Sequence, residues 1–146
     1  MSKPEVAEFS MADLEAADTA EMTVEVNGKP TSWVWTFAGP GHPQAVAQSN
    51  RISRERLHED RLKEQAVTNG KKWKAPEETV DEVRERNVNQ IVERLVGWSP
   101  VKIDGAEYPF SPENAKTLLI DPRRIGLFTQ AMEFLADLGS FTRRSA

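Results

Sequence analysis

The chain has no cysteine among its 146 residues, and that absence removes disulfides, thiolate nucleophiles, iron–sulfur clusters and cysteine-rich zinc sites together. Histidine is nearly missing too, with only His42 and His58. A hydrolytic metal site usually takes three clustered ligands, and these two show no HExxH spacing. Neither has a recognisable local partner for activating a serine, and no Gly-x-Ser-x-Gly elbow occurs, so the sequence predicts no catalytic residues, no cofactor and no metal. No run of ~18 apolar residues exists, and residues 1–8 lead into no apolar stretch, so neither a membrane span nor a secretory signal is read. The expectation is a soluble, cytoplasmic protein. With 38% apolar residues against 29% charged, and a mean hydropathy of -0.57, the apolar content suffices for one modest core built from short segments.

Charge is plentiful but arranged in blocks that the net value of -4 conceals. Residues 1–25 carry Glu5, Glu8, Asp13, Glu15, Asp18, Glu21 and Glu25 against Lys3 alone. Residues 51–74 reverse the sign, with Arg51, Arg54, Arg56, Arg61, Lys63, Lys71, Lys72 and Lys74 against Glu55, Glu59, Asp60 and Glu64. Two such blocks either attract each other or serve separate partners.

The patterning predicts an α+β, mainly α domain over residues 21–146, preceded by an acidic flexible leader over 1–20. Met22, Val24 and Val26 alternate with polar residues, as do Trp33, Trp35 and Phe37 beyond Asn27-Gly28-Lys29-Pro30, so residues 21–38 read as a β-hairpin. A four-residue loop over 27–30 would pair Val26 with Thr31, Val24 with Trp33 and Met22 with Trp35, keeping Pro30 out of the ladder. The aromatic face so formed needs a cover, from this chain's helices or from another molecule.

Gly39-Pro40-Gly41-His42-Pro43 then breaks the strand, and residues 44–67 read as a long charged helix with sparse apolar positions, stopped by Asn69-Gly70. Thr79 with Glu82 makes a capping box for an amphipathic helix carrying Val80, Val83, Val88, Ile91, Val92 and Leu95 and ending at Gly97. A small second hairpin turns about Asp104-Gly105. Ser111-Pro112 and Asp121-Pro122 each open a short helix, over 112–120 and 122–138, with Gly139 as the stop and 140–146 as a loose tail. Residues 79–138 form the expected helical core.

Other chemistries read as structure. Pro40 and Pro43 remove amide donors from the Gly-Pro-Gly turn, and no Gly-Lys-Ser/Thr follows, so it is no phosphate loop. Glu77, Glu78, Asp81 and Glu82 sit at a helix start, where the macrodipole favours negative charge. Lys71-Lys72-Trp73-Lys74 interleaves cations with an aromatic, which suits phosphate tracking and base stacking, but the acidic total and the interspersed carboxylates oppose it. The same helix charges also form i,i+3 and i,i+4 pairs on a solvated face.

One stretch carries a resemblance. The order helix, Gly97-Trp98, Asp104-Gly105 turn, Pro109-Phe110-Ser111-Pro112-Glu113-Asn114 and then Leu118-Leu119 resembles tail assembly chaperones of long-tailed (siphovirus- or myovirus-like) bacteriophages. Phe37-Ala38-Gly39-Pro40-Gly41-His42-Pro43 is similar to the strand and turn that such chains place before their charged helix. The acidic leader and the long basic middle depart from the short forms of that family. The resemblance implies a non-enzymatic, mostly helical protein that coats the tape measure protein, helps recruit tail tube protein and leaves the finished particle. Two faces would serve as partner-binding surfaces: Trp33, Trp35 and Phe37, or Val88, Ile91, Val92 and Leu95. A nucleic-acid-associated regulator using 51–74 and a structural virion component are the alternatives, and self-association is compatible with each.

Overall fold

A computed structural model describes residues 6–141, and their architecture is α+β, mainly α. Asn27 and Gly28, with φ of 54° and 77°, supply the left-handed pair that a two-residue type I′ turn needs, and they join β1 (Thr19–Val26) to β2 (Lys29–Ala38). The register agrees with expectation at Met22 opposite Trp35 but not at the turn, where Val26 faces Lys29 and Glu25 faces Pro30. The loop is thus two residues rather than four. A bulge near Thr31 takes up the difference, with Thr31 Oγ1 donating to the Val24 carbonyl at 2.7 Å and accepting from the Trp33 N–H at 3.2 Å. Pro30 lies inside the ladder at no cost, because the Glu25 N–H and C=O both turn away to the side-chain amide of Gln130, each at 2.8 Å.

Gly39 closes β2 against the leader. Its N–H donates to the Asp18 carbonyl at 2.7 Å, and a Cβ there would lie 2.0 Å from the Ala17 carbonyl oxygen. The Ala17 N–H in turn donates to the Phe141 carbonyl at 2.7 Å. The end of the leader is therefore pinned, and β1 begins at Thr19, inside the expected leader. The tail is corrected in the same way. Phe141 is buried, in a 3-10 turn over Leu138–Phe141, while residues 142–146 lie outside the described residues.

Helix α1 (Pro43–Thr68) starts where His42 Nδ1 accepts the Gln44 N–H, and α2 (Val80–Arg94) starts where Thr79 Oγ1 accepts the Glu82 N–H. Their contact is polar. Gln44 donates to the carbonyls of Glu93 and Leu95, Gln48 to that of Gln90, and Arg51 grips the Glu93 carboxylate at 2.6 and 2.9 Å. Spacings of four and three residues place Gln44, Gln48 and Arg51 along one side of α1, where the two glutamines satisfy carbonyls near the C-terminus of α2 and Arg51 holds the Glu93 carboxylate. This seam docks a helix that buries only Ala45 and Gln48. Beyond Ile52, every residue of α1 except Ala66 is exposed.

The amphipathic helix ends three residues before Gly97. Leu95–Trp98 is instead a third strand, β3, antiparallel to β2 with Trp35 opposite Trp98 and Phe37 opposite Leu95. A short hairpin follows, β4 (Lys102–Ile103) and β5 (Ala106–Glu107), about Asp104 and Gly105 with φ of 53° and 79°. Helix α3 (Pro112–Ile120) is capped by Ser111, and α4 (Ile125–Ala136) is preceded by a 3-10 turn over Pro122–Arg124 that Asp121 caps. The single helix expected over 122–138 is thus divided, and α4 stops before Gly139. The core gathers Val24, Trp35, Phe37, Val88, Ile91, Leu119 and Ala131 between the sheet's inner face and α2, α3 and α4.

Two measurements test this description. Gly39→Ala is expected to lower stability by about 1–3 kcal/mol in urea titration, because backbone stands where the methyl must go, while Gly41→Ala, with open space, stays within about 0.5 kcal/mol. Hydrogen bonds from the Arg123 guanidinium and N–H hold the Asp121 carboxyl well below the usual carboxylate range. A depressed folded-state pKa stabilises above the unfolded value and fades as pH falls through the folded one. Asp121→Asn is therefore expected to be less stable than wild type at neutral pH, the gap closing on acidification below about pH 4.

Candidate functional site

Aromatic rings form a chain from the interior to the surface. Phe141 meets Phe134 at 5.7 Å between centroids, Phe134 meets Phe37 at 5.4 Å, Phe37 meets Trp35 at 6.3 Å, and Trp35 stacks on Trp98 at 5.3 Å. Trp98 then stacks on Tyr108 at 6.0 Å and takes Phe110 edge-on at 5.1 Å. Strand pairing sets this order, since Trp35 and Trp98 are register partners and their side chains share the inner face.

The surface end of the chain opens into a groove of about 510 Å³ between β3 and the β4–β5 hairpin. Trp98, Val101, Tyr108 and Phe110 supply apolar walls, Pro100 and Pro109 form the rims, and Lys102 and Glu107 stand beside them. Its shape is held by hydrogen bonds within the segment that carried the resemblance. Trp98 Nε1 donates to the Tyr108 carbonyl at 3.1 Å, the Tyr108 hydroxyl to the Asn114 carbonyl at 3.1 Å, and Asn114 Nδ2 to the Pro109 carbonyl at 2.8 Å. The Ser111 hydroxyl accepts the Asn114 N–H at 3.0 Å. A concave, half-apolar, aromatic surface with short strand edges beside it suits an extended apolar peptide.

Both partner-binding faces expected from sequence take other places. Trp35 and Phe37 are fully buried, as are Val88 and Ile91, and Leu95 is 2% exposed. Trp33 and Val92 are half-buried and pack against the same core. Both faces enter one core cluster, which α4 also joins through Phe134 against Phe37. In the folded chain these seven residues are core or core margin, not an open contact surface. Trp33 Nε1 and Trp35 Nε1 are buried with no hydrogen-bond partner, a cost eased by edge-to-face packing of Trp33 on Trp35 and Trp98 at 5.3 and 5.5 Å. The sequence marks Trp98 as a motif residue but not the groove, because Tyr108 and Phe110 converge on it only once the second hairpin folds back.

Ionisable groups follow the scaffold. Arg94 donates to the Ala38 carbonyl at 2.6 and 3.0 Å and lies 5.4 Å over the Phe141 ring, with burial lowering its pKa. Hydrogen bonds donated to the Glu93 carboxylate chiefly raise that of Arg51. Among the described residues, no group of three or more His, Asp or Glu is placed to hold a metal ion, and no helix is long and apolar enough to cross a membrane. No protein-family model, curated protein or solved structure matches the chain.

Removing the buttress without removing the ring isolates its role. Tyr108→Phe deletes the hydroxyl bonded to Asn114 and is expected to cost about 1 kcal/mol in urea unfolding followed by tryptophan fluorescence.

Proposed function

We propose that this protein is a non-enzymatic tail assembly chaperone of long-tailed bacteriophages, acting in the host cytoplasm on tape measure and tail tube proteins. The observation that carries this reading is the unity of the resembling segment. Gly97-Trp98, the Asp104-Gly105 turn, Pro109 to Asn114 and Leu118-Leu119 are remote from any catalytic arrangement yet close on one another through the bonds of Trp98, Tyr108 and Asn114. Their order along the chain thus serves one shape, an aromatic groove that leads into α3, whose Leu118 and Leu119 are buried in the core. A tape measure protein is long and exposes apolar segments before the tube encloses it, and such a groove shields a short extended apolar segment.

The groove therefore replaces the two buried faces as the surface through which a chaperone of this kind would act. A second reading rests on the exposed cations of α1 and the following Lys71-Lys72-Trp73-Lys74, which would suit a nucleic-acid-associated regulator whose binding falls steeply with salt. A structural virion component is the third.

Co-expression with tape measure and tail tube proteins, followed by affinity capture, tests the first reading. Val101→Asp places a charge in the groove wall, at a half-buried position outside the core, and is expected to reduce capture of tape measure protein at least about tenfold with the unfolding midpoint little changed. Capture unaffected by Val101→Asp would remove the groove from the mechanism. Abundance of the chain in purified virions would favour the structural role, and nucleic acid without tail proteins the regulator.

A further inference from the structure

Eight of the twelve large apolar side chains that the described residues leave exposed fall in two stretches of opposite charge. Val6, Phe9, Met11 and Leu14 lie in the leader, 66–87% exposed, and Val46, Leu57, Leu62 and Val67 lie on α1. Over residues 6–18 the leader carries Glu8, Asp13, Glu15 and Asp18 and no base. On the distal half of α1, Arg54, Leu57, His58, Arg61, Gln65 and Thr68 recur at helical spacing, so that Arg54 and Arg61 share one face, with Glu64 at its margin beside Arg61, Gln65 and Thr68. Lys71 and Lys72 extend it, the Lys71 N–H being held by the Ala66 carbonyl at 2.8 Å. None of Arg54, Arg61, Lys71 and Lys72 forms an ion pair with a described residue. A solvated helical half of this length is marginal by itself and gains from a cover.

The leader is prepared for docking. Ser10 and Asp13 exchange the two hydrogen bonds of a capping box, at 3.1 and 3.3 Å, which puts Phe9 and Leu14 at the two positions of a hydrophobic staple. A helix start is thus complete, yet only the 3-10 turn Ala12–Leu14 forms, with its apolar side chains in solvent.

We propose that residues 6–16 of the leader dock along the basic distal face of α1, up to Lys71 and Lys72, in a second copy of this chain, and that the exchange is reciprocal. The acidic leader with Phe9 and Leu14 complements a face that carries Arg54, Arg61 and the exposed Leu57, so two copies offer each other both halves of a closed two-fold contact. Docking within one molecule fails on reach. Ala17 is held at Phe141 and Asp18 at Gly39, and with the capped turn kept, Glu8 to Ala16 spans only about 15–20 Å. Lys71 and Lys72 lie beyond the far end of α1, about 38 Å along the helix from Pro43. Nucleic acid brings no apolar side chain to meet the exposed Leu57, whereas the leader brings Phe9 and Leu14.

Sedimentation equilibrium of the full chain tests the proposal, with charge-reversed variants at exposed positions. The wild type is expected to form a dimer at low ionic strength that weakens at least about tenfold near 0.5 M salt. Glu8→Lys with Glu15→Lys, and separately Arg61→Glu with Lys71→Glu and Lys72→Glu, are each expected to be monomeric with unchanged urea midpoints. An equimolar mixture of the two variants should recover a dimer, since both contacts are then complementary again. The proposal is overturned by a wild type that stays monomeric at about 1 mM and low salt, by a dimer indifferent to both variants, or by a mixture that does not reassociate. Hydrogen-exchange protection of the leader in a monomer would show docking within the molecule, and nucleic acid capture by a monomeric wild type would assign the cations elsewhere; either result also overturns it.

Discussion

The inner face of the β1–β2 ribbon cannot be left in water, and the rest of the structure follows from how it is covered. Trp35 and Phe37 are the two largest fully buried side chains in a chain with little apolar content to spare. Val88, Ile91 and Leu95 meet that surface from α2 and its extension, Leu118 and Leu119 from α3, and Ala131 and Phe134 from α4. Because β3 leaves α2 directly and pairs with β2, the element that covers the sheet also widens it, bringing Trp98 onto Trp35. The aromatic chain then continues outward to Tyr108 and Phe110, so the groove is the exposed end of the same packing that makes the core.

Polar contacts do the positioning that a small core leaves undone. Gln44, Gln48 and Arg51 fasten α1 to the carbonyls and carboxylate at the end of α2, and Arg94 ties that end to Ala38. Gln130 replaces the missing partner of the β1 edge at Glu25, which blunts an edge that would otherwise invite strand addition. These bonds are directional and need few residues, so half of α1 is left free of the body. A small core and a long charged arm leave two surfaces open, the groove at Trp98 and the distal half of α1.

Much of this was legible in residue order because the deciding forces are local. Asn27-Gly28 and Asp104-Gly105 dictate hairpins through backbone sterics, and Thr79 and Ser111 dictate helix starts by satisfying free N–H groups. The α+β class, the span of the charged helix and the register of Met22 with Trp35 all came from such signals. The seven residues expected to bind partners lie in or beside the core, and pattern alone does not say whether an apolar face meets a partner or its own chain.

Tertiary structure decided what depends on contacts far apart in sequence. Leu95 continues the helical spacing of Val88 and Ile91, and only the free edge of β2 draws it into a strand. The Asn27-Gly28 turn sets Glu25 opposite Pro30, and the outward-facing N–H and C=O of Glu25 find their partner only in the amide of Gln130, 105 residues away. Burial of Trp35 and Phe37 beneath α2, and exposure of a groove at Trp98, Tyr108 and Phe110, belong to the same class of result. Composition and spacing determined the elements and their apolar faces, because propensity, capping and turn chemistry act over a few residues. Which face became core and which became surface was left to packing, because burial is a property of the whole assembled chain.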